Sequence, residues 1–353
     1  MEAGRGLVET IIKGSTIANA YYTCNLIPAE LVARSGYSPR WLGNYLEDPS
    51  APARREALSI HPMTCPYVTR LVAAADTLLS DTSAEDRLLV PGGCDAMRRM
   101  GDLLAATYPE RVFVLPMPRS SGEGAVRSLA ADLGRMEKWL AERSAVVISG
   151  SSDSGDTSSE EPATVHQPPA VDYPSTPRTG GAFVIAGPLS DNSLLRLIDG
   201  LGAAIAGFDS CTSPDRWKPL ATMGVEDIAV KSDDYGPLAA ELLAFGMCPR
   251  RSTSDRREYL VRRLDETQPA SIIYARQSFC DPGAYDALLV SQLAQERDLP
   301  YLEIEVGFPF DASGPLRTRV EAFLEAQLLD DDLLDDDLLD EDLLDGNLPD
   351  EED

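Results

Sequence analysis

Six cysteines are the residues of this 353-residue chain best suited to chemistry, and their arrangement is not random. Cys24, Cys65 and Cys94 lie in the first half and Cys211, Cys248 and Cys280 in the second, corresponding members being offset by 187, 183 and 186 residues. Their neighbours repeat as well: Cys65-Pro66 answers Cys248-Pro249, and Cys94-Asp95 answers Cys280-Asp281. The pattern implies an internal duplication in which each half supplies three thiols from equivalent loops. Thiols kept reduced serve as metal ligands or nucleophiles. A hydrolase is poorly served, because His166 sits in a low-complexity stretch and leaves only His61 for a Cys–His or Ser–His pair. A tetrahedral zinc site usually shows Cys-x-x-Cys pairs, and none occurs. Long spacings instead suit a cubane cluster held by three thiolates, which leaves one iron open to an exogenous ligand. Six independent buried cysteines are the competing reading, since Cys is among the most buried residue types. The duplicated neighbours weigh against it, though spacing does not choose the metal.

The elements that must hold these thiols follow from hydrophobic patterning. Leu88-Leu89-Val90 and Val112 to Leu115 read as buried strands in the first half, with helical patterns over Asp95 to Ala106 and Val126 to Leu140. In the second half Ala182 to Ala186, Ala203 to Phe208, Ser271 to Tyr274 and Tyr301 to Ile304 read as strands. Helices fit Asn192 to Leu201, Ser254 to Glu266, Pro282 to Arg297 and Pro315 to Leu328. This alternation predicts an α/β protein with two doubly wound, Rossmann-like parallel-sheet domains. Cys94 and Cys280 then fall beyond the carboxyl end of a strand and at the start of a helix, where open parallel sheets bind ligands. A helix N-terminus is expected to favour thiolate over thiol there, and Gly92 and Gly93 to let the backbone approach a metal.

Between Ser149 and Gly181, twenty of 33 residues are Ser, Thr, Gly or Pro, a composition that buries too little apolar surface to order itself. The expected layout is an N-terminal α/β domain at 1–148, a disordered linker at 149–181, a C-terminal α/β domain at 182–328 and an acidic low-complexity tail at 329–353. The tail repeats Leu-Leu-Asp-Asp-Asp with a period of five, which matches neither a helix face nor a strand face beyond a turn or two. It holds fourteen Asp or Glu and no Lys or Arg, so residues 1–329 carry −13 of the total formal charge of −27. Calcium or a basic partner could use such a tail, and a solvated, self-repelling segment needs neither. An acidic balance argues against nucleic acid and anionic membranes as partners. No apolar run approaches a membrane span. Glu2 and Glu9 stand where a secretory signal has a basic start and an apolar run, so a cytoplasmic location is expected.

Five segments in order resemble successive signatures of the 2-hydroxyacyl-CoA dehydratase and benzoyl-CoA reductase family. They are Tyr22-Thr23-Cys24 through Pro28-Ala29-Glu30-Leu31, Cys65-Pro66-Tyr67-Val68, Cys94-Asp95-Ala96-Met97-Arg98-Arg99, Phe279-Cys280-Asp281-Pro282, and Leu316-Arg317-Thr318-Arg319-Val320-Glu321-Ala322-Phe323. The resemblance runs from about residue 16 to 328, skipping the linker. It implies that Cys65, Cys94 and Cys280 hold a [4Fe–4S] cluster with one open iron. It implies a lyase that receives a low-potential electron from an ATP-dependent iron–sulfur activator and dehydrates a 2-hydroxyacyl-CoA by radical chemistry. It also implies a homologous subunit, or a second copy of this chain, as dimer partner. A related branch, the double-cubane cluster proteins, binds two sulfide-bridged cubanes needing six thiolates, which places Cys24, Cys211 and Cys248 as a second ligand set. A benzoyl-CoA reductase-type reductase and a non-catalytic electron-relay subunit are the other readings. Glu305-Val306-Gly307 stands where relatives often have Glu-Thr-Asp, a departure that bears on the substrate pocket more than on the metal.

Further polar residues have two readings each. Arg98 and Arg99 follow Cys94 on one helix and could meet CoA phosphate or cluster charge, or form a solvated face. Arg317 and Arg319 could do the same or pair with Glu321 or Glu325. Ser120 to Gly124 is a Gly/Ser turn before a helix that could touch phosphate. Glu30 follows Cys24 as a second-layer donor or a cap, and His61 lies four residues before Cys65.

Overall fold

The computed structural model describes residues 17–24, 26–46, 56, 58–81, 85–150, 180–189, 191–211, 234–244, 248–312 and 314–336, without the side chains of 144–150 and 328–336. The expectations for a disordered linker and for the end of the tail fall on 151–179 and 337–353, outside the described residues.

Two four-stranded, all-parallel sheets form the frame. The first contains β1 (Asn19–Tyr22), β2 (Ser38–Trp41), β3 (Arg87–Gly92) and β4 (Val112–Pro116) in the order β2-β1-β3-β4. The second contains β5 (Ala182–Ala186), β6 (Ile205–Ser210), β7 (Ser271–Gln277) and β8 (Tyr301–Val306) in the order β6-β5-β7-β8. The identical order agrees with the duplication. Registers such as Leu88↔Val112 and Ile272↔Tyr301 align the strands so that their carboxyl ends share one edge of each sheet.

Helices cover both faces, as a parallel sheet requires. They are α1 (Ala29–Arg34), α2 (Pro66–Asp81), α3 (Asp95–Thr107) and α4 (Glu123–Gly150), then α5 (Ser193–Gly200), α6 (Gly236–Ala244), α7 (Thr253–Thr267), α8 (Asp281–Glu296) and α9 (Gly314–Asp336). Alternation along each strand sends neighbours to opposite cores. Tyr22 and Leu89 meet Leu129, Leu133 and Met136 of α4, whereas Tyr21, Leu88 and Val90 meet Leu71 of α2 and Leu104 of α3. In the second sheet Val184 and Ile273 pack with Leu194 and Val320, whereas Phe183, Ile272 and Tyr274 pack with Leu260 of α7 and Val290 of α8.

The halves are not separate bodies. Helix α6 comes from the second half, yet its Leu238, Leu242 and Leu243 belong to the same core as Leu129 and Leu133. Tyr235 just before it hydrogen-bonds Glu137 of α4, and Glu137 also pairs with Arg34 at 2.6 Å. Helix α9 reaches Asp336, about two turns past residue 328, where the tail was expected to follow. A helix already nucleated by packed Val320 and Phe323 can be extended one residue at a time without an apolar stripe of its own.

Candidate metal centre

All six cysteines line a single cavity of about 90 Å³ between the carboxyl ends of the two sheets. Cys24 lies two residues beyond β1, Cys94 two beyond β3, Cys211 directly after β6 and Cys280 three beyond β7. Cys65 immediately precedes α2, whose first residue is Pro66, a proline pre-set for the first helical turn. Cys248 precedes Pro249 and the loop into α7. None of the six forms a disulfide. Neighbouring bonds fix the loops: Tyr67 donates its hydroxyl to the Thr23 carbonyl at 3.3 Å, and Ser210 donates to the Gly187 carbonyl at 2.7 Å.

The expectation of equivalent loops holds for two of the three pairs. Cys94 and Cys280 occupy the N-cap residues of α3 and α8 after the equivalent strands β3 and β7. Cys65 and Cys248 both precede the helix that leads into those strands. Cys24, however, follows the inner strand β1, whereas Cys211 follows the edge strand β6, whose counterpart is β2. Equal offset along the chain therefore does not mean equal place in the fold.

The expected thiolates are not what the bare site favours. Burial raises the Cys65 thiol, pushes Cys94 up to about 11 and pushes Cys280 up to about 12. The helix-start amides of Met97 and Gly283 oppose the rise, the latter donating to the Cys280 sulfur at 3.4 Å, but desolvation outweighs them. The thiols also raise one another: Cys65, Cys94 and Cys248 each disfavour charge at Cys280. Mutually repelling buried thiolates would need a cation in their midst, and a metal would take the place of their protons.

Among the described residues no three His, Cys, Asp or Glu side chains close up enough to ligate one ion. Around a single zinc at 2.3 Å the sulfurs would sit about 4 Å apart. A polynuclear cluster distributes its thiolates over separate irons and needs a wider set. The remaining wall is largely apolar, with Leu26, Tyr67, Val68, Met97 and four prolines, and Arg250 as the charged member. The Thr23 hydroxyl, whose residue lines the same cavity, is buried without a hydrogen-bond partner. An anionic sulfide core would supply the acceptor this donor lacks, so the donor set is compatible with an iron–sulfur group.

A second cavity of about 480 Å³ adjoins the first. Cys65, Cys94 and Cys280 line both, while Cys24, Cys211 and Cys248 line only the inner one. A third cavity, about 380 Å³, takes Cys65, His61, Met63 and Phe279. His61 accepts the Met63 amide at 3.2 Å and stands away from the thiol cavity.

The other candidates resolve mostly to structural roles. Arg98 and Arg99 are exposed, Arg99 pairing with Asp95 and Asp102 at 3.7 and 3.4 Å. Arg317 is exposed, and Arg319 donates to the Glu303 carbonyl at 3.0 Å instead of pairing with Glu321 or Glu325. Ser121 donates to Asp255 at 3.1 Å, so the Gly/Ser turn clasps the other half. Glu305 pairs with Arg276 at 2.7 Å. Glu30 lines none of these three cavities. Gly93 serves a side chain: a Cβ there would stand 3.1 Å from Arg250 Cδ and Nε, so the missing Cβ makes room for that arginine.

Four positions on these walls escaped the sequence reading: Thr23, Arg119, Arg250 and Arg251. The visible signal was the Arg-Arg pair two residues after Cys248-Pro249 begins, within the duplicated Cys-Pro context.

Fold and site together define a duplicated two-domain α/β protein that gathers thiols from both domains on one interdomain cavity. Residues 180–326 match the family model described as 2-hydroxyglutaryl-CoA dehydratase, D-component. Over 134 residues the chain is 28% identical to a protein of Escherichia coli (strain K12) named "Putative dehydratase subunit YjiM", a match covering 37% of this chain and 33% of that relative. The match thus spans about a third of the relative's length. No described helix is long and apolar enough to cross a membrane.

Proposed function

We propose that the chain is the iron–sulfur subunit of a 2-hydroxyacyl-CoA dehydratase-like lyase. The observation that supports this reading is the position of Cys65, Cys94 and Cys280, which separate a small thiol-lined cavity from a larger one of substrate size. These three would hold a [4Fe–4S] cluster. When bound, such a cluster supplies low-potential one-electron chemistry at an iron open to an exogenous ligand. The chain's own residues would keep bulk water from the inner cavity through Leu26, Tyr67, Val68 and Met97, and admit an acyl-CoA thioester from the outer one. The electron would come from an ATP-dependent iron–sulfur activator, and a homologous subunit or a second copy would complete a dimer.

A sulfide-bridged double cubane in a reductase of the related branch is the second reading, favoured by the presence of all six thiols on one wall. Anaerobic purification with iron and sulfide analysis separates the two. About four irons per chain support the single cubane, about eight the double, and zinc or no metal overturns both. Cys94→Ser and Cys280→Ser are expected to lose the iron–sulfur chromophore, and full iron in either variant refutes their assignment. Turnover on 2-hydroxyacyl-CoA with activator and ATP tests the lyase, while electron uptake without turnover on any acyl-CoA marks a relay subunit.

A further inference from the structure

The outer cavity is lined by two buried arginines whose donors are mostly unmatched. Arg250 and Arg251 line it at 6% and 7% exposure. Each has one committed nitrogen: Arg250 Nη1 donates to the Pro118 carbonyl across the domain boundary at 2.7 Å, and Arg251 Nη2 donates to Asp255 at 2.7 Å. Arg250 Nε and Nη2 and Arg251 Nε and Nη1 are buried with no hydrogen-bond partner. Buried guanidinium donors without acceptors are costly, and such groups are found where a ligand completes them.

The surroundings favour the same ligand. Helix α7 starts at Thr253 on this wall, adding the positive end of a fifteen-residue helix, and the exposed Arg119 stands on the rim. The remaining wall arginine, Arg256, is balanced by Asp209 and Asp286. Asp95 and Asp281 are the other wall carboxylates, and both are exposed.

We infer that Arg250 and Arg251 bind one oxyanion, a carboxylate or a phosphate, of the molecule that enters the outer cavity beside Cys65, Cys94 and Cys280. Guanidinium forks match both groups bidentately. The identity of that molecule as an acyl-CoA rests on the proposed function, whereas the anion site stands on the arginines themselves. A carboxylate would belong to the acyl part and make the pair a specificity determinant; a phosphate would belong to the carrier.

Calorimetric titration of the full-length, anaerobically purified protein with succinate and with inorganic phosphate tests this, with iron content measured on the same samples. Saturable binding of at least one probe is expected, weakened about tenfold or more in Arg251→Gln, by less in the rim variant Arg119→Gln, and partly restored in Arg251→Lys. Stronger succinate binding assigns the acyl carboxylate, and stronger phosphate binding the carrier. Absence of binding by either probe, or binding unchanged in Arg251→Gln, overturns the inference. So does loss of iron in Arg251→Gln with anion affinity intact, which would assign the charge to the inner cavity. Because no probe carries a thioester, anion binding by iron-free protein would fail the proposed function and leave this inference standing.

Discussion

Replacing Arg256 with Met tests how the C-terminal domain holds its part of the site. Arg256 is 1% exposed, donates Nη1 to Asp209 at 2.6 Å, and forms a two-pronged pair with Asp286 at 2.9 and 2.9 Å. Tyr274 donates to the same Asp286 carboxylate at 3.1 Å. The cation thus joins β6, β7, α7 and α8, and its guanidinium is held charged well above its ordinary range by the two carboxylates, against the pull of burial. Met fills similar volume but takes the Arg256 charge away from Asp209 and Asp286, each 1% exposed in its side chain. Breaking a buried pair from one side costs about 3–5 kcal/mol. At about 2–4 °C per kcal/mol for a unit of this size, the melting temperature is expected to fall by roughly 6–20 °C. Urea unfolding followed by circular dichroism measures the loss directly. The triple variant R256M/D209N/D286N should recover much of it, because neutral amides at those places no longer bury unpaired charge. A loss below about 1 kcal/mol in R256M, or a triple variant as unstable as the single, would refute the claim that these carboxylates are sealed from water. Asp209 lies two residues before Cys211 and Asp286 six after Cys280, so R256M is also expected to retain less iron than wild type at temperatures where both remain folded.

Three further outcomes are expected. Gly93→Val puts carbon where Arg250 Cδ and Nε stand 3.1 Å away, so it should displace that side chain from Pro118, cost about 1–3 kcal/mol and weaken anion binding in calorimetry. Glu30 is raised above its ordinary value by burial, with one carboxylate oxygen unpartnered. Its folded-state ionisation therefore lags behind the unfolded chain's, and this penalty grows as pH rises past the ordinary carboxylate range. Glu30→Gln should stabilise the protein at pH 7 by chemical denaturation, with the gain vanishing near pH 4; an equal gain at both pH values refutes the assignment. Leu133→Ala opens the core shared by α4 and α6 and should cost about 2–5 kcal/mol, and a loss under 1 kcal/mol would mean that α6 does not seal that core.

Much of the architecture was legible because β3 and β7 are continuous apolar runs. Leu88-Leu89-Val90 and Ile272-Ile273-Tyr274 are buried on both faces, and the helices around them repeat at helical spacing. The short strands β1 and β2 carried no such run: Asn19–Tyr22 and Ser38–Trp41 include Asn, Ser, Pro and Arg, and they are strands because their neighbours supply the ladder. Helix α6 was hidden by its place in the wrong half, its apolar side answering a core that lies in the other domain.

The cysteines marked the candidate site from the sequence, since residue type, duplicated neighbours and position after apolar runs are local properties. Only the tertiary structure could bring the six onto one cavity, place Cys24 and Cys211 on non-equivalent strands, and expose three of them to a second cavity. The same division explains the thiols' protonation and the arginines. A helix start is written in the local chain and favours charge, but desolvation depends on everything packed around the sulfur, and here it wins. Arg250 looks solvated in the sequence, and becomes a buried donor only when Gly93 and the Pro118 carbonyl of the other domain close over it.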